Sequence, residues 1–442
     1  MPILISHRTG NLHGTIILPG DKSISHRALI LGTLARGQTR VRGLLEGADV
    51  LATAGALRQL GANIKKDSDG SWIIDGLGLS GFLEPHSPLD LGNSGTGARL
   101  LMGVVAGSGI KAVFTGDASL SARPMARVTT PLEKMGAKVS ARDGTYLPLL
   151  IEGVLQPLSI TYESPHASAQ IKSAILLAGL TARGETRVVE PRPSRNHTEA
   201  MLRHFGVPVE ESPTENGGMA VTIGGDAQLT AADVHVPADP SSAAFPAVAA
   251  LITEGSEITM TGIGTNPLRF GLFETLKEMG GDITLANQRI EGGETVADIT
   301  VRSSRLKGVD VPAERAASMI DEYPILSVAA AFAEGTTRMH GIAELRVKET
   351  DRIALMEEGL VRAGATVLST EDSMTVTGAD HIRGGMTVDA CHDHRIAMSF
   401  LVLGQRTDQP VRVEGTETIA TSFPDFTSLM NEIGADIRPD DA

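Results

Sequence analysis

The stretch LRQLGANI, Leu57 to Ile64, returns five more times along the chain. The other copies are LEKMGAKV (Leu132 to Val139), LRHFGVPV (Leu202 to Val209), LKEMGGDI (Leu276 to Ile283), LVRAGATV (Leu360 to Val367) and MNEIGADI (Met430 to Ile437). Each has Leu, or Met in the last copy, four residues before a glycine, and Ile or Val three residues after it. This pattern predicts an amphipathic helix, a left-handed glycine cap and then a strand with its β-branched residue turned inward. The glycines are Gly61, Gly136, Gly206, Gly280, Gly364 and Gly434, at intervals from 70 residues (Gly136 to Gly206) to 84 (Gly280 to Gly364). Such spacing is too wide for a solenoid of short units. It predicts six α/β modules.

Each module also has a front half rich in Ala, Leu, Val and Ile. The openings are GDKSISHRALIL from Gly20, GNSGTGARLLMG from Gly92, HASAQIKSAILL from His166, ADPSSAAFPAVAAL from Ala238, SMIDEYPILSVAAAF from Ser318 and HDHRIAMSFLVLG from His392. Ile171, Ala174, Ile175 and Ala178 keep helical spacing, as do Ile325, Val328, Ala329 and Phe332. Faces this apolar predict central helices. Five of the six openings carry ionisable or Gln side chains at the helix start, where free N–H groups and the positive dipole end favour anions. Capping is the competing role for the same residues.

At 442 residues the chain has room for two or more domains. Its single cysteine, Cys391, excludes an intramolecular disulfide and a cysteine-based metal cluster, and fits a reducing cytoplasm. No apolar run approaches the length of a membrane span. The net charge of −14, from 39 basic and 53 acidic residues, with 3% aromatics, argues against a nucleic-acid-binding surface. An acidic protein still binds anions where its few cations converge.

Several segments offer that convergence. PGDKSISHR (Pro19 to Arg27) is a tight turn followed by Lys22, Ser23 and Arg27 at the mouth of an apolar run. GNSGTGAR (Gly92 to Arg99) has neither the Lys-Ser/Thr of a Walker A loop nor the third glycine of a dinucleotide fingerprint, but allows close backbone approach at Gly95. Arg123 precedes a proline in ASLSARPM (Ala118 to Met125). HASAQIKS sets Ser168, Ala169 and Gln170 at a helix start, and SRNHTE (Ser194 to Glu199) carries Arg195. Among the acids, Asp321 and Glu322 lie in SMIDEYPIL, and Glu349 lies in LRVKETDR between Lys348 and Arg352. Carboxylates near such cations are candidates for acid/base work. HDHR lacks further histidines at metal-ligand spacing, which makes Arg395 an anion ligand in preference to a metal site.

Taken in order, GDKSISHR, GNSGTGAR, ASLSARPM, SAQIK, LRVKETDR, DHRIAMSF and TSFPDF (Thr421 to Phe426) resemble the 5-enolpyruvylshikimate-3-phosphate synthase family over nearly the whole chain. RNHTE and SAQIK are similar to its class II bacterial branch. The resemblance implies an α/β (α+β) fold of two domains, each of three βαβαββ-type repeats with helices inside and sheets outside. The implied domains are residues 1–19 plus 236–442, and residues 20–235, with the active site in the cleft between them. The implied activity is transfer of the enolpyruvyl group of phosphoenolpyruvate to the 5-hydroxyl of shikimate 3-phosphate, releasing phosphate, by a cytoplasmic monomer without metal or organic cofactor. Lys22, Asp321 and Glu349 would be catalytic. Lys22, Ser23, Arg27, Ser168, Ala169, Gln170, Arg195, Asp321 and Lys348 match shikimate-3-phosphate positions. Lys22, Gly95, Arg123, Gln170, Arg352 and Arg395 match phosphoenolpyruvate positions. The family is also the target of glyphosate, which competes with phosphoenolpyruvate.

The chain departs from class I at Leu100, where that class has proline, and in lacking a C-terminal lysine near IATSFPDF (Ile419 to Phe426). Two alternatives share the fold: a UDP-N-acetylglucosamine enolpyruvyl transferase, and a non-catalytic or RNA-end-processing relative. Cys391 is misplaced for the loop cysteine of the first. The acidic charge and the Asp321/Glu349 pair run against the second.

Overall fold

A computed structural model describes residues 3–225 and 227–440. All six signature stretches fold alike. Helices Ala48–Gln59, Ala126–Lys134, His197–His204, Gly271–Glu278, Arg352–Ala363 and Phe426–Glu432 each run up to the glycine of their copy. The glycines all have positive φ, from 87° at Gly206 to 109° at Gly434. In every copy the glycine N–H donates to the carbonyl three residues back (Gly61 to Arg58, 3.0 Å). The next N–H donates to the carbonyl of the Leu or Met (Ala62 to Leu57, 3.0 Å). These are the paired bonds of a Schellman cap, and the φ they require explains the glycine. The Leu or Met four residues earlier is buried in all six copies.

The front halves form helices Lys22–Leu34, Gly95–Ala106, Ala169–Gly179, Pro240–Ile252, Tyr323–Ala331 and His394–Gly404, buried along almost their whole length. Five of the six are capped by a side chain. Asp21, Ser94, Ser168, Asp239 and Asp393 accept from the N–H of Ile24, Gly97, Ile171, Ser241 and Arg395. Of the six signature helices only Arg352–Ala363 is capped this way, by Asp351. A helix start removed from water must find partners for its first N–H groups inside the protein, whereas a surface helix uses solvent. Capping is thus one confirmed role of the polar openings.

Each module closes with a four-stranded sheet in which the first strand pairs parallel to the second and the others pair antiparallel. Three modules are not contiguous in sequence. Val234–His235 supplies the parallel edge strand beside Gln38–Arg42 in the first module. His13–Ile16 does the same beside Glu257–Gly264 in the fourth. Leu4–His7 lies between Val411–Glu414 and Asp436–Pro439 in the sixth. The chain divides into two compact units: Met1–Pro19, Pro237–Ile290 and Thr295–Ala442 form one, and Gly20–Val236 with Glu291–Glu294 the other. Each has its own apolar core. Among the described residues no helix is long and apolar enough to cross a membrane.

Two close helix contacts bring polar side chains together. A Cβ at Gly103 would lie 2.3 Å from Ala174 O, so glycine lets Gly95–Ala106 press against Ala169–Gly179. A Cβ at Gly359 would lie 2.1 Å from the Phe400 ring, so Arg352–Ala363 packs directly on His394–Gly404. The first contact sets Arg99 beside Gln170; the second sets Arg352 beside Asp393.

Candidate active site

The sequence-derived residues fall into two sets. Lys22, Ser23, Arg27, Gly95, Arg123, Ser168, Ala169, Gln170 and Arg195 belong to the unit built on Gly20–Val236; Asp321, Lys348, Glu349, Arg352 and Arg395 belong to the other.

In the first set, Lys22 opens its helix and ion-pairs with Asp49, at the start of the next helix. Arg27 is not at the helix mouth. It is buried, donating to Ser23 O at 2.9 Å, Ser173 Oγ at 2.9 Å and Thr198 Oγ1 at 2.6 Å. Burial pulls its pKa down to about 10; Glu199 and Asp21 act against that, and Arg195 with it. Three of its five donors therefore tie three helices together and fix the guanidinium's direction. His26, beside it, is buried with Nδ1 2.8 Å from Thr53 Oγ1, and burial with the nearby Lys22 and Arg27 holds its pKa well below the ordinary value.

Gln170 is oriented at both ends: its Oε1 accepts from Arg99 Nη1 at 2.8 Å, and its Nε2 donates to Thr96 Oγ1 at 2.9 Å. Arg123 is buried, donating to Asn93 Oδ1 and to Ser119 Oγ at 3.0 Å. Both arginines reach Gly95, where an added Cβ would lie 3.0 Å from Arg99 Nη1 and 3.1 Å from Arg123 Nη1. The bare backbone at Gly95 thus sits among strong donors, as an anion site requires. Ser168 caps its helix, Ala169 is the first residue of that helix, and Arg195 lies in the loop before His197–His204.

In the second set, Arg352 is the hub. Its Nε lies 2.7 Å from Asp393 Oδ2, Nη1 3.2 Å from Asp321 Oδ1 and Nη2 2.5 Å from Glu349 Oε2. Burial works against its charge, yet Asp393, Glu349 and Asp321 together raise its pKa above the ordinary arginine value. Lys348 Nζ adds a second cation to Asp321 Oδ1 at 3.3 Å. Arg395 donates to Asp321 O at 3.0 Å and to Glu322 Oε1 at 3.1 Å. Buried Glu322 also accepts from Ser241 and from Arg269, at 3.0 Å for the latter. The five residues of this set form one connected network, with Asp321 and Glu349 on the same guanidinium.

Sequence reasoning passed over groups that aim these side chains: Asp49, Arg99 and Asp393, and Arg269, which holds Glu322 beside Arg395. Asp393 carried a signal, since a carboxylate just before an apolar helix is a cap whose second oxygen is available for a cation. Among the described residues no group of three or more His, Cys, Asp or Glu could hold a metal ion.

Residues 7–430 match the family model described as EPSP synthase (3-phosphoshikimate 1-carboxyvinyltransferase). A 3-phosphoshikimate 1-carboxyvinyltransferase of Paramagnetospirillum magneticum is 58% identical over 438 residues, covering 99% of this chain and 98% of that one. One from Parvibaculum lavamentivorans is 58% identical over 433 residues, covering 98% and 96%. A solved EPSP synthase from Acinetobacter baumannii superposes with a TM-score of 0.87 at 45% identity, covering 99% of this chain and 100% of that one. The enolpyruvyl transferase NikO from Streptomyces tendae shares the fold, with a TM-score of 0.79 at 18% identity over 99% of this chain and 98% of that one.

Proposed function

The chain belongs to the EPSP synthase family of 3-phosphoshikimate 1-carboxyvinyltransferases, and from that premise we propose how its residues divide the reaction. The enzyme transfers the enolpyruvyl group of phosphoenolpyruvate to the 5-hydroxyl of shikimate 3-phosphate and releases phosphate. The observation that carries the assignment is the Arg352 hub, which holds the two carboxylates an addition–elimination needs while Lys348 contacts one of them.

Glu349 protonates C3 of phosphoenolpyruvate, which makes C2 cationic. Asp321 takes the proton of the attacking hydroxyl. Glu349 then removes a proton from C3 of the tetrahedral intermediate, and phosphate leaves. Lys22 stabilises or protonates the departing phosphate, with Asp49 fixing its ammonium before substrate arrives. Lys22, Gly95, Arg123, Gln170, Arg352 and Arg395 receive phosphoenolpyruvate. Lys22, Ser23, Arg27, Ser168, Ala169, Gln170, Arg195, Asp321 and Lys348 receive shikimate 3-phosphate. The acceptor's ligands are drawn from both units, so we propose that binding it engages both at once. Small-angle scattering with saturating acceptor tests this, and an unchanged radius would contradict it.

The single cysteine supports a cytoplasmic location, and we propose a monomer as the working form, which sedimentation would check. Phosphate release that depends on both substrates tests the activity; absence of release with both present would contradict it.

A further inference from the structure

One buried cluster in the unit built on Gly20–Val236 takes no part in the reaction outlined above. Lys172 lies in the first turns of Ala169–Gly179. Its ammonium is 2.8 Å from Glu190 Oε2 and 2.7 Å from Glu199 Oε1, and donates to Ser194 O at 3.4 Å. All three charged side chains are at most 2% exposed. Glu190 ends the strand Glu185–Glu190, and its carboxylate reaches two loops at once. Its Oε1 accepts from Ser168 N at 3.1 Å and from Ser194 Oγ at 2.6 Å, and its Oε2 from Ser194 N at 3.4 Å. Ser168 is the helix cap assigned to the acceptor, and Ser194 immediately precedes Arg195.

A buried ion pair is weak evidence for stability, because packed apolar side chains serve as well. What apolar side chains lack is the directed bonding by which one carboxylate sets the backbone at both places. We infer that Glu190, held by Lys172, is a positioning residue that fixes Ser168 and Arg195 for the anionic acceptor. The inference rests on the assignment of those two residues to shikimate 3-phosphate. Misplacing ligands by a fraction of an ångström is enough to weaken their hold on a bound anion.

The test is steady-state kinetics of the full-length enzyme, varying each substrate at saturating levels of the other. Glu190→Ala is expected to raise KM for shikimate 3-phosphate about tenfold or more, and to leave KM for phosphoenolpyruvate within about twofold. Glu190→Gln keeps an acceptor oxygen for Ser168 N and Ser194 Oγ but sets an amide N–H against Lys172 Nζ and Ser194 N, and is expected to recover part of the loss. Ser194→Ala is expected to shift the same KM less and in the same direction, and decides the matter if Glu190→Ala does not fold. A purely structural pair would lower the melting temperature and the active fraction with both KM values unchanged; that result, or an equal rise in both, overturns the inference. Wild-type enzyme that fails to turn over shikimate 3-phosphate would instead overturn the functional reading, and this inference with it.

Discussion

Arg352 donates through Nη1 to Asp321 Oδ1 at 3.2 Å, so the carboxylate assigned as base is held by a guanidinium that is itself fully buried. The same guanidinium holds Glu349 and Asp393. Arg352→Met would leave three carboxylates without their shared counterion. Breaking a buried charged network in this way costs about 3–5 kcal/mol, and the loss of an oriented donor lowers kcat/KM by roughly 10²-fold or more. Arg352→Lys should rescue little, because a point charge cannot span three carboxylates. Urea unfolding and kinetics read both effects; near-native stability and rate in Arg352→Met would remove it from the centre of the site.

Gly95 lies against the ends of Arg99 and Arg123. The β-carbon of Gly95→Ala must push both guanidinium groups back by a few tenths of an ångström. Overpacking of that kind costs about 1–3 kcal/mol. Glyphosate, longer than phosphoenolpyruvate, is expected to lose affinity by about tenfold or more. Phosphoenolpyruvate should lose less, though its affinity should also fall because one displaced group, Arg123, is assigned to it and the other, Arg99, orients its ligand Gln170. Inhibition constants measured in competition with phosphoenolpyruvate decide it, and equal constants for the two forms would show that Gly95 does not set sensitivity.

His26 gives stability a pH dependence of known sign. Its pKa is lowered in the folded state, chiefly by burial, from 6.5. Below pH 6.5 the unfolded chain therefore binds a proton that the folded protein excludes. The neutral ring's contribution is complete above that pH and is lost as pH falls, at roughly 1.4 kcal/mol per unit. Subtracting the stability curve of His26→Leu from that of wild type between pH 7.5 and 5.5 (roughly one unit below the reference value) should show this slope. Parallel curves would contradict it.

The six Schellman caps were legible because every part of the motif lies within eight consecutive residues. The strand exchanges were not. Leu4–His7, His13–Ile16 and Val234–His235 are two to four residues long, and their partners lie far away in the chain. Nothing local in such short strands specifies a partner. The site was legible as a set of residue types at helix starts, but the direction of each side chain was not. Arg27 reads as a ligand near a helix mouth, but its position alone did not reveal the bonds to Thr198 and Ser173 that aim its guanidinium. Lys172 left a signal that went unused: a lysine among Ile171, Ala174 and Ile175 must find buried carboxylates, and those are Glu190 and Glu199.

The most direct measurement is a proton NMR spectrum of the wild-type reaction run in deuterium oxide with phosphoenolpyruvate and shikimate 3-phosphate. Protonation and deprotonation at C3 pass through a methyl group, so solvent deuterium must enter the vinyl position. The account predicts new enolpyruvyl vinyl signals that are partly deuterated, appearing together with inorganic phosphate. Glu349→Gln should suppress both product and exchange. Phosphate release without a vinyl product, or a vinyl product carrying no deuterium, would contradict the account.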